Sequence, residues 1–166
     1  DLLLCDQVRQ IRQLGTSTDL YAGQAVDRLG VKLGFAFPAG AEVSRLAAQC
    51  PDAIRPKSSV RGMDCSLSGL ENQCGALLAQ GKSPAYVCKY CLLCVADTVV
   101  RMTRAALEQY PGLPVVCAGG VMSSGIIRDW VQQRLPSVLF VPAQYASDNA
   151  IGVSLLAARE AGLWLK

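Results

Sequence analysis

From residue 18, "TDLYAGQAVDRLGVKLG" places Ala22, Ala25, Val26, Leu29 and Leu33 at three- and four-residue intervals. That spacing predicts an amphipathic helix. Thr18 or Asp19 stands where a cap is wanted, and Gly34 stands where the helix should end. Asp27 falls roughly opposite the apolar stripe and is expected to face away from the core. Ahead of this helix, residues 2–17 read as a strand pair or β-hairpin. Behind it, "FAFPAGAE" reads as a turn and residues 41–49 as a short helix. Residues 50–65 are irregular, with room for a short strand. "LSGLENQCGALLAQ" predicts a helix capped by Ser66 or Ser68, and residues 83–109 predict a long one, with Pro84 tolerated in its first turn. "YPGLP" breaks that helix.

The last third alternates: "PVVCAG" reads as a buried strand, residues 123–134 as a helix and "SVLFVP" as a second strand. Residues 147–161 read as a closing helix, with Ser147 or Asp148 expected at its cap. Strand, helix, strand, helix implies an α/β layer with parallel strands.

Composition sharpens this picture. The 166 residues suit one domain or one lobe of a larger protein. Hydrophobic residues make up 51% and charged residues 17%, with mean hydropathy +0.28. Either a face buried against a further lobe or an unusually apolar core accounts for such a balance. The opening "DLLLCDQVRQIRQLG", without methionine, reads as the interior of a longer protein. No apolar run approaches the ~20 residues that span a bilayer, and no secretory signal pattern opens the chain. The net charge of +3 permits an anionic partner without requiring one. The most basic stretch is "IRPKSSVRG", with Arg55, Lys57 and Arg61.

Three of the eight cysteines cluster in "CKYCLLC" as Cys88, Cys91 and Cys94. Such a run can mark a metal or redox site. Inside a long helical pattern, the same spacing lines thiols along one stripe, where cysteine behaves as a small hydrophobe. Both readings stay open, the buried stripe being the better supported. There is no histidine to complete a mixed zinc site or a Ser/His or Cys/His catalytic pair.

The stretch "VVCAGGVMSSGIIRDW" joins an apolar strand to a helix through Gly119 and Gly120. Adjacent glycines let backbone come close to a ligand. A helix start beside them offers N–H groups and a positive dipole end, the makings of a phosphate cradle. The loop is neither a G-x-G-x-x-G fingerprint nor a P-loop, and a strand–GG–helix turn can also be a plain connection.

Four blocks in order carry a resemblance: "TDLYAGQAVDRLGVKLGFAFPAGAEVSRLA", "CSLSGLENQ", "VVCAGGVMSSGIIRDWV" and "YASDNAIGVSLLAA". They resemble the TsaD family, the tRNA threonylcarbamoyladenosine enzymes once labelled glycoproteases. The family patterns are DDAAGEAFDK…LGLxYPGGPxIExLA, FSFSGLK, VxAGGVAANxxLR and CTDNAAMIAxxG. The resemblance implies an α/β ASKHA fold, like actin, sugar kinases and Hsp70 ATPases. This chain would be the second lobe, a small mixed sheet flanked by helices with a helical insertion at roughly 41–110. The N-terminal lobe, with an HxxxH metal motif, would lie outside the chain.

The resemblance assigns Asp27 to a ribose contact, Gly40 to the PGG turn, Gly119 and Gly120 to the AGG loop, and Ser124 to the place of the family's asparagine. Asp148 would be one ligand to Fe or Zn, completed by histidines of the first lobe. The ligand implied is an adenine nucleotide or threonylcarbamoyl-adenylate. Implied partners are the N-terminal lobe, tRNA and other threonylcarbamoylation proteins, in the cytoplasm and off the membrane. The parent activity implied is transfer of threonylcarbamoyl to N6 of the adenosine beside the anticodon, with this fragment alone inactive. Departures at Thr18, Gln24, Ala39 and Ser124 point to a diverged paralogue. They leave open a non-catalytic nucleotide-binding or scaffolding protein.

Overall fold

A computed structural model describes residues 1–5, 10–146 and 150–162. The order is β1 (Leu2–Cys5), β2 (Ile11–Gly15), α1 (Ala22–Lys32), α2 (Gly40–Ala47), β3 (Ser59–Arg61), β4 (Asp64–Ser66), α3 (Ser68–Ala79) and α4 (Pro84–Gln109). Then come β5 (Val116–Cys117), a 3₁₀ turn (Gly120–Ser123), α5 (Gly125–Arg134), β6 (Leu139–Phe140) and α6 (Ala150–Glu160). The mixed α/β class read from the sequence holds.

Helix α4 is the axis of the core, and α1, α2, α3 and α5 all pack on it. Ser83 starts it by accepting the Tyr86 N–H at 3.2 Å, and Pro84 sits in the first turn, where its missing N–H costs nothing. Cys88, Cys91 and Cys94 lie wholly inside among Val43, Val87, Ile127 and Val131. The thiol stripe is therefore part of the hydrophobic core.

Helix α1 ends as its sequence predicts. Gly34 takes a left-handed φ of 91°, and the Phe35 N–H reaches back to the Gly30 carbonyl at 3.0 Å. Its start differs from the expectation. Tyr21 is the cap residue, and its N–H donates to Gln24 Oε1 at 3.2 Å. Thr18 and Asp19 lie too far ahead, because Asp19 is spent on another turn. Likewise Leu67, not Ser66 or Ser68, holds the cap position of α3.

The strands do not merge into one small sheet. Among the described residues they form three two-stranded ladders. β1 and β2 pair antiparallel, as the hairpin reading expects, with residues 6–9 outside the described set. β3 and β4 form a tight antiparallel hairpin, and β5 and β6 run parallel, in register Val116↔Leu139 and Cys117↔Phe140. The "PVVCAG" strand is also less buried than expected: Cys117 is inside, but Val116 is 59% exposed. α5 begins at Gly125, two residues later than predicted, because the preceding residues close a 3₁₀ turn first. Among the described residues no helix is long and apolar enough to cross a membrane.

Candidate functional site

The glycine-rich loop is built by its backbone. Gly119 adopts φ 106°, a conformation that L side chains avoid, so the chain can leave β5 and enter the 3₁₀ turn. The Met122 N–H then donates to the Gly119 carbonyl at 3.0 Å. A Cβ built on Gly119 or Gly120 would meet nothing within 4 Å. The two glycines thus present bare backbone to open space, which is what a phosphate-approaching loop requires. Val121 turns inward, where its Cγ2 lies 3.7 Å from a Cβ built on Gly23 at the start of α1.

Asp27 corrects its sequence reading. It is half-buried, and its Oδ1 accepts the Ala39 N–H at 2.8 Å. The carboxylate faces the turn entering α2 because that turn's backbone donor needs a partner. A carboxylate offers about four acceptor positions, so acceptor capacity for a ribose hydroxyl remains. The same bond places Asp27 beside Gly40, whose added Cβ would come no nearer than 4.0 Å to Val26 Cγ1.

Ser124 is buried, and its Oγ lies 3.3 Å from Ser44 Oγ, which donates to it from α2. It is the residue before α5, and its carbonyl accepts the Arg128 N–H at 3.0 Å. Helix α2 therefore holds Asp27 at one end through Ala39 and the glycine-rich loop at its middle through Ser44. Asp27 and Ser124 are thereby both tied to the α2 region, while Gly119 and Gly120 line a separate cleft with Val121 and Met122. Asp148 lies outside the described residues. Among the described residues no group of three His, Cys, Asp or Glu is arranged to hold a metal.

The sequence reading missed two features. Asp19 is exposed yet saturated with donors: the Ser66 and Ser68 hydroxyls at 2.6 Å each, the Leu67 N–H at 2.8 Å and the Leu20 N–H at 2.6 Å. The Ser66 and Ser68 hydroxyls above all hold its carboxyl well below the usual carboxylate range. It staples the segment leading into α1 to the β4–α3 turn. All three residues had been marked as possible caps; that each needed the others is a tertiary fact. Ser44 gave no signal, being one polar position on a short helix.

A cavity of about 570 Å³ is lined by residues including Ile54, Arg55, Asp97, Trp130 and Arg134. The Arg134 guanidinium stacks 3.3 Å from the centre of the Trp130 ring. Burial holds most of the stripe thiols protonated. Burial pushes Cys88 up to about 12 and Cys94 up to about 11. Cys91 donates to Cys74, which raises Cys91 and lowers Cys74.

The profile of the family described as "TsaD: tRNA N6-adenosine threonylcarbamoyltransferase" matches residues 1–154. The chain belongs to the TsaD family. A TsaD relative from Streptococcus equi subsp. zooepidemicus, named tRNA N6-adenosine threonylcarbamoyltransferase, is 31% identical over 158 residues, covering 89% of this chain and 47% of its own length. One of the same name from Thermus thermophilus is 29% identical, again covering 89% and 47%. The chain thus spans about half the length of the curated relatives it matches. Among solved structures, HypF from T. kodakarensis superposes with a TM-score of 0.66 at 18% identity, over 85% of this chain and 20% of that one. At that identity the likeness concerns the fold alone.

Proposed function

We propose that residues 1–166 form the second lobe of a two-lobed, ASKHA-type TsaD enzyme, with the helical segment at roughly 41–110 as an insertion. In this reading the rim of Asp27, Gly40, Gly119, Gly120 and Ser124 holds an adenine nucleotide or threonylcarbamoyl-adenylate. The observation that carries it is the pair of bonds on α2, Asp27 to Ala39 at 2.8 Å and Ser44 to Ser124 at 3.3 Å. They tie to one short helical segment two residues nearly a hundred positions apart. The bare backbone at Gly119 and Gly120 takes the phosphate, and the acceptor capacity left on Asp27 takes the ribose. The parent activity is transfer of threonylcarbamoyl to N6 of the adenosine beside the tRNA anticodon, in the cytoplasm. The N-terminal lobe and other threonylcarbamoylation proteins are its partners.

A metal belongs to the whole enzyme and not to this chain. With no histidine, the chain offers Asp148 as one carboxylate ligand, and the remaining ligands to Fe or Zn must come from the other lobe. When bound, such an ion supplies Lewis-acid polarisation of an oxygen. The task of this chain is to bind and orient the adenylate. For tRNA, the cavity with Arg55, Trp130 and Arg134 supplies cationic and aromatic groups, and binding through such groups weakens with salt.

A non-catalytic relative is the second reading. Ser124 favours it, because its hydroxyl is engaged with Ser44 and is shorter than the family's asparagine. The test is a titration of millimolar ADP followed by backbone amide shifts. Changes confined to Asp27, Gly40, Gly119, Gly120 and Ser124, lost in Gly119→Val, support the nucleotide rim. Changes elsewhere, or none, overturn it. Threonylcarbamoylation of tRNA by the two-lobed protein, measured with and without Asp148→Ala, then separates enzyme from scaffold.

A further inference from the structure

The cavity of about 570 Å³ is walled by α4, α5 and the loop at residues 53–56. It gathers the basic stretch "IRPKSSVRG", whose Arg55 lines it. Ser58 ties that stretch to α4. Its carbonyl and hydroxyl accept from Arg101 Nη1 at 2.9 and 3.1 Å, and its hydroxyl donates to Asp97. Arg104, one turn further along α4, donates to the Arg134 carbonyl at 3.5 Å. Arg134 itself lies flat on Trp130, and its Nη1 donates to the Trp130 carbonyl at 3.1 Å. A guanidinium carries five N–H donors, so most of this fork still faces outward, held in place by the ring.

Ion pairs among the described residues lie elsewhere, joining Arg28 to Glu71 and Arg45 to Glu42. None includes Arg55, Arg101, Arg104 or Arg134. Asp97 is the acid on the cavity wall, and Ser58 engages it. Residues far apart in the chain thus set four guanidiniums without a carboxylate partner on one face. A net charge of only +3 makes that placement count.

We infer that this face grips RNA by its phosphates. One phosphodiester enters the cavity between Arg55 and Arg134, and Arg101 and Arg104 meet its neighbours along the strand. Guanidinium matches two phosphate oxygens at once, and one stacked on an aromatic ring is already oriented for them. A free phosphate would need a single closed pocket, whereas these cations run on beyond the cavity along α4. Trp130 carries Arg134, so its part is to hold the fork rather than to stack a base. Phosphate contacts carry no sequence information; this face sets where the strand lies, not which base reacts. The inference rests on the tRNA reading above and adds to it the kind of contact and the residues that make it.

The probe is the full chain titrated with an unmodified tRNA transcript between about 50 and 200 mM salt. Each phosphate contact removed should lower the slope of log affinity against log salt by about 1. Arg55→Met and Arg134→Met should each do so, and should weaken tRNA and an unrelated single-stranded RNA by the same factor. Arg28→Met and Arg45→Met remove the same charge from the ion pairs elsewhere and should leave the slope as it is. Arg134→Lys keeps the charge but loses the fork, so affinity should fall while the slope stays. Equal slope losses in all four methionine variants would overturn the inference, because net charge alone would then be at work. Displacement of the tRNA by millimolar inorganic phosphate at matched ionic strength would overturn it too, by marking a pocket for a free anion. So would no binding at the lower salt, which would also count against the tRNA reading. Binding with a slope unmoved by Arg55→Met and Arg134→Met would strike this face alone and leave that reading standing.

Discussion

The helical half and the strand half of this molecule are built to different standards. Around α4 the packing is closed: Val43, Val87, Cys88, Cys91, Ile127 and Val131 are fully buried. The strand side is open. Leu3, Val116 and Leu139 are 56%, 59% and 60% exposed, and the ladders are only two strands wide. Two-stranded ladders are marginal on their own, so these are held by the helices they lean on. The contrast teaches that the helices close their own core, whereas the strands leave large apolar side chains exposed. It also puts the high mean hydropathy of +0.28 in two places, a thiol-rich core and exposed apolar strand residues.

The largest effect should come from emptying the closed half. Ile127 is fully buried on α5 against α4. Ile127→Ala removes buried methylenes and leaves a cavity, which costs roughly 2–5 kcal/mol. Urea unfolding should show a lower midpoint of that size. A loss under 1 kcal/mol would mean that the helical half is as loosely packed as the strands, and the comparison would fail.

Gly30→Ala ranks next. A Cβ there would sit 2.3 Å from the Ala39 Cβ and 3.0 Å from Val43 Cγ2. The α1–α2 crossing must spread, at a cost of about 1–3 kcal/mol. The same displacement pulls Ala39 from Asp27, so amide shifts at Gly40 should report it even where stability is only modestly reduced. Unchanged shifts would show that the rim does not depend on this crossing.

Much of this was legible in the sequence, for local reasons. The end of α1 at Gly34, the Ser83–Pro84 start of α4 and the burial of Cys88, Cys91 and Cys94 follow from chain-local spacing and cap chemistry. The order of four motif blocks, more specific than any one of them, pointed to the family. What failed was tertiary. Asp27 was placed opposite an apolar stripe, but a donor twelve residues on drew it inward. Asp19, Ser66 and Ser68 each had a plausible helix to cap, and they bonded to one another instead. A single sheet was expected because strand patterns carry no record of which edge stays unpaired. Ser147 and Asp148, read as a cap and a metal ligand, lie outside the described residues.

Asp19→Asn gives a smaller effect with a diagnostic pH dependence. The folded carboxyl titrates well below its unfolded counterpart. Its contribution is thus complete above the unfolded value of about 4 and fades as the pH falls further. The variant should melt below wild type at pH 7, by less than Gly30→Ala. The gap should narrow as the pH is lowered from about 4. A gap independent of pH would mean that Asn simply packs worse, and that the donors from Ser66 and Ser68 are not aimed at a charge.

The smallest effect should come from the open half. Val116→Thr keeps the β-branch and trades a methyl for a hydroxyl on a residue 59% exposed. Surface changes of this kind stay within about 0.5 kcal/mol. Ile127→Ala and Val116→Thr both alter a β-branched residue in this chain, so the distance between the two results measures how unevenly it is packed. A cost above about 1 kcal/mol would mean that Val116 is covered rather than open, and the comparison between the two halves would fail.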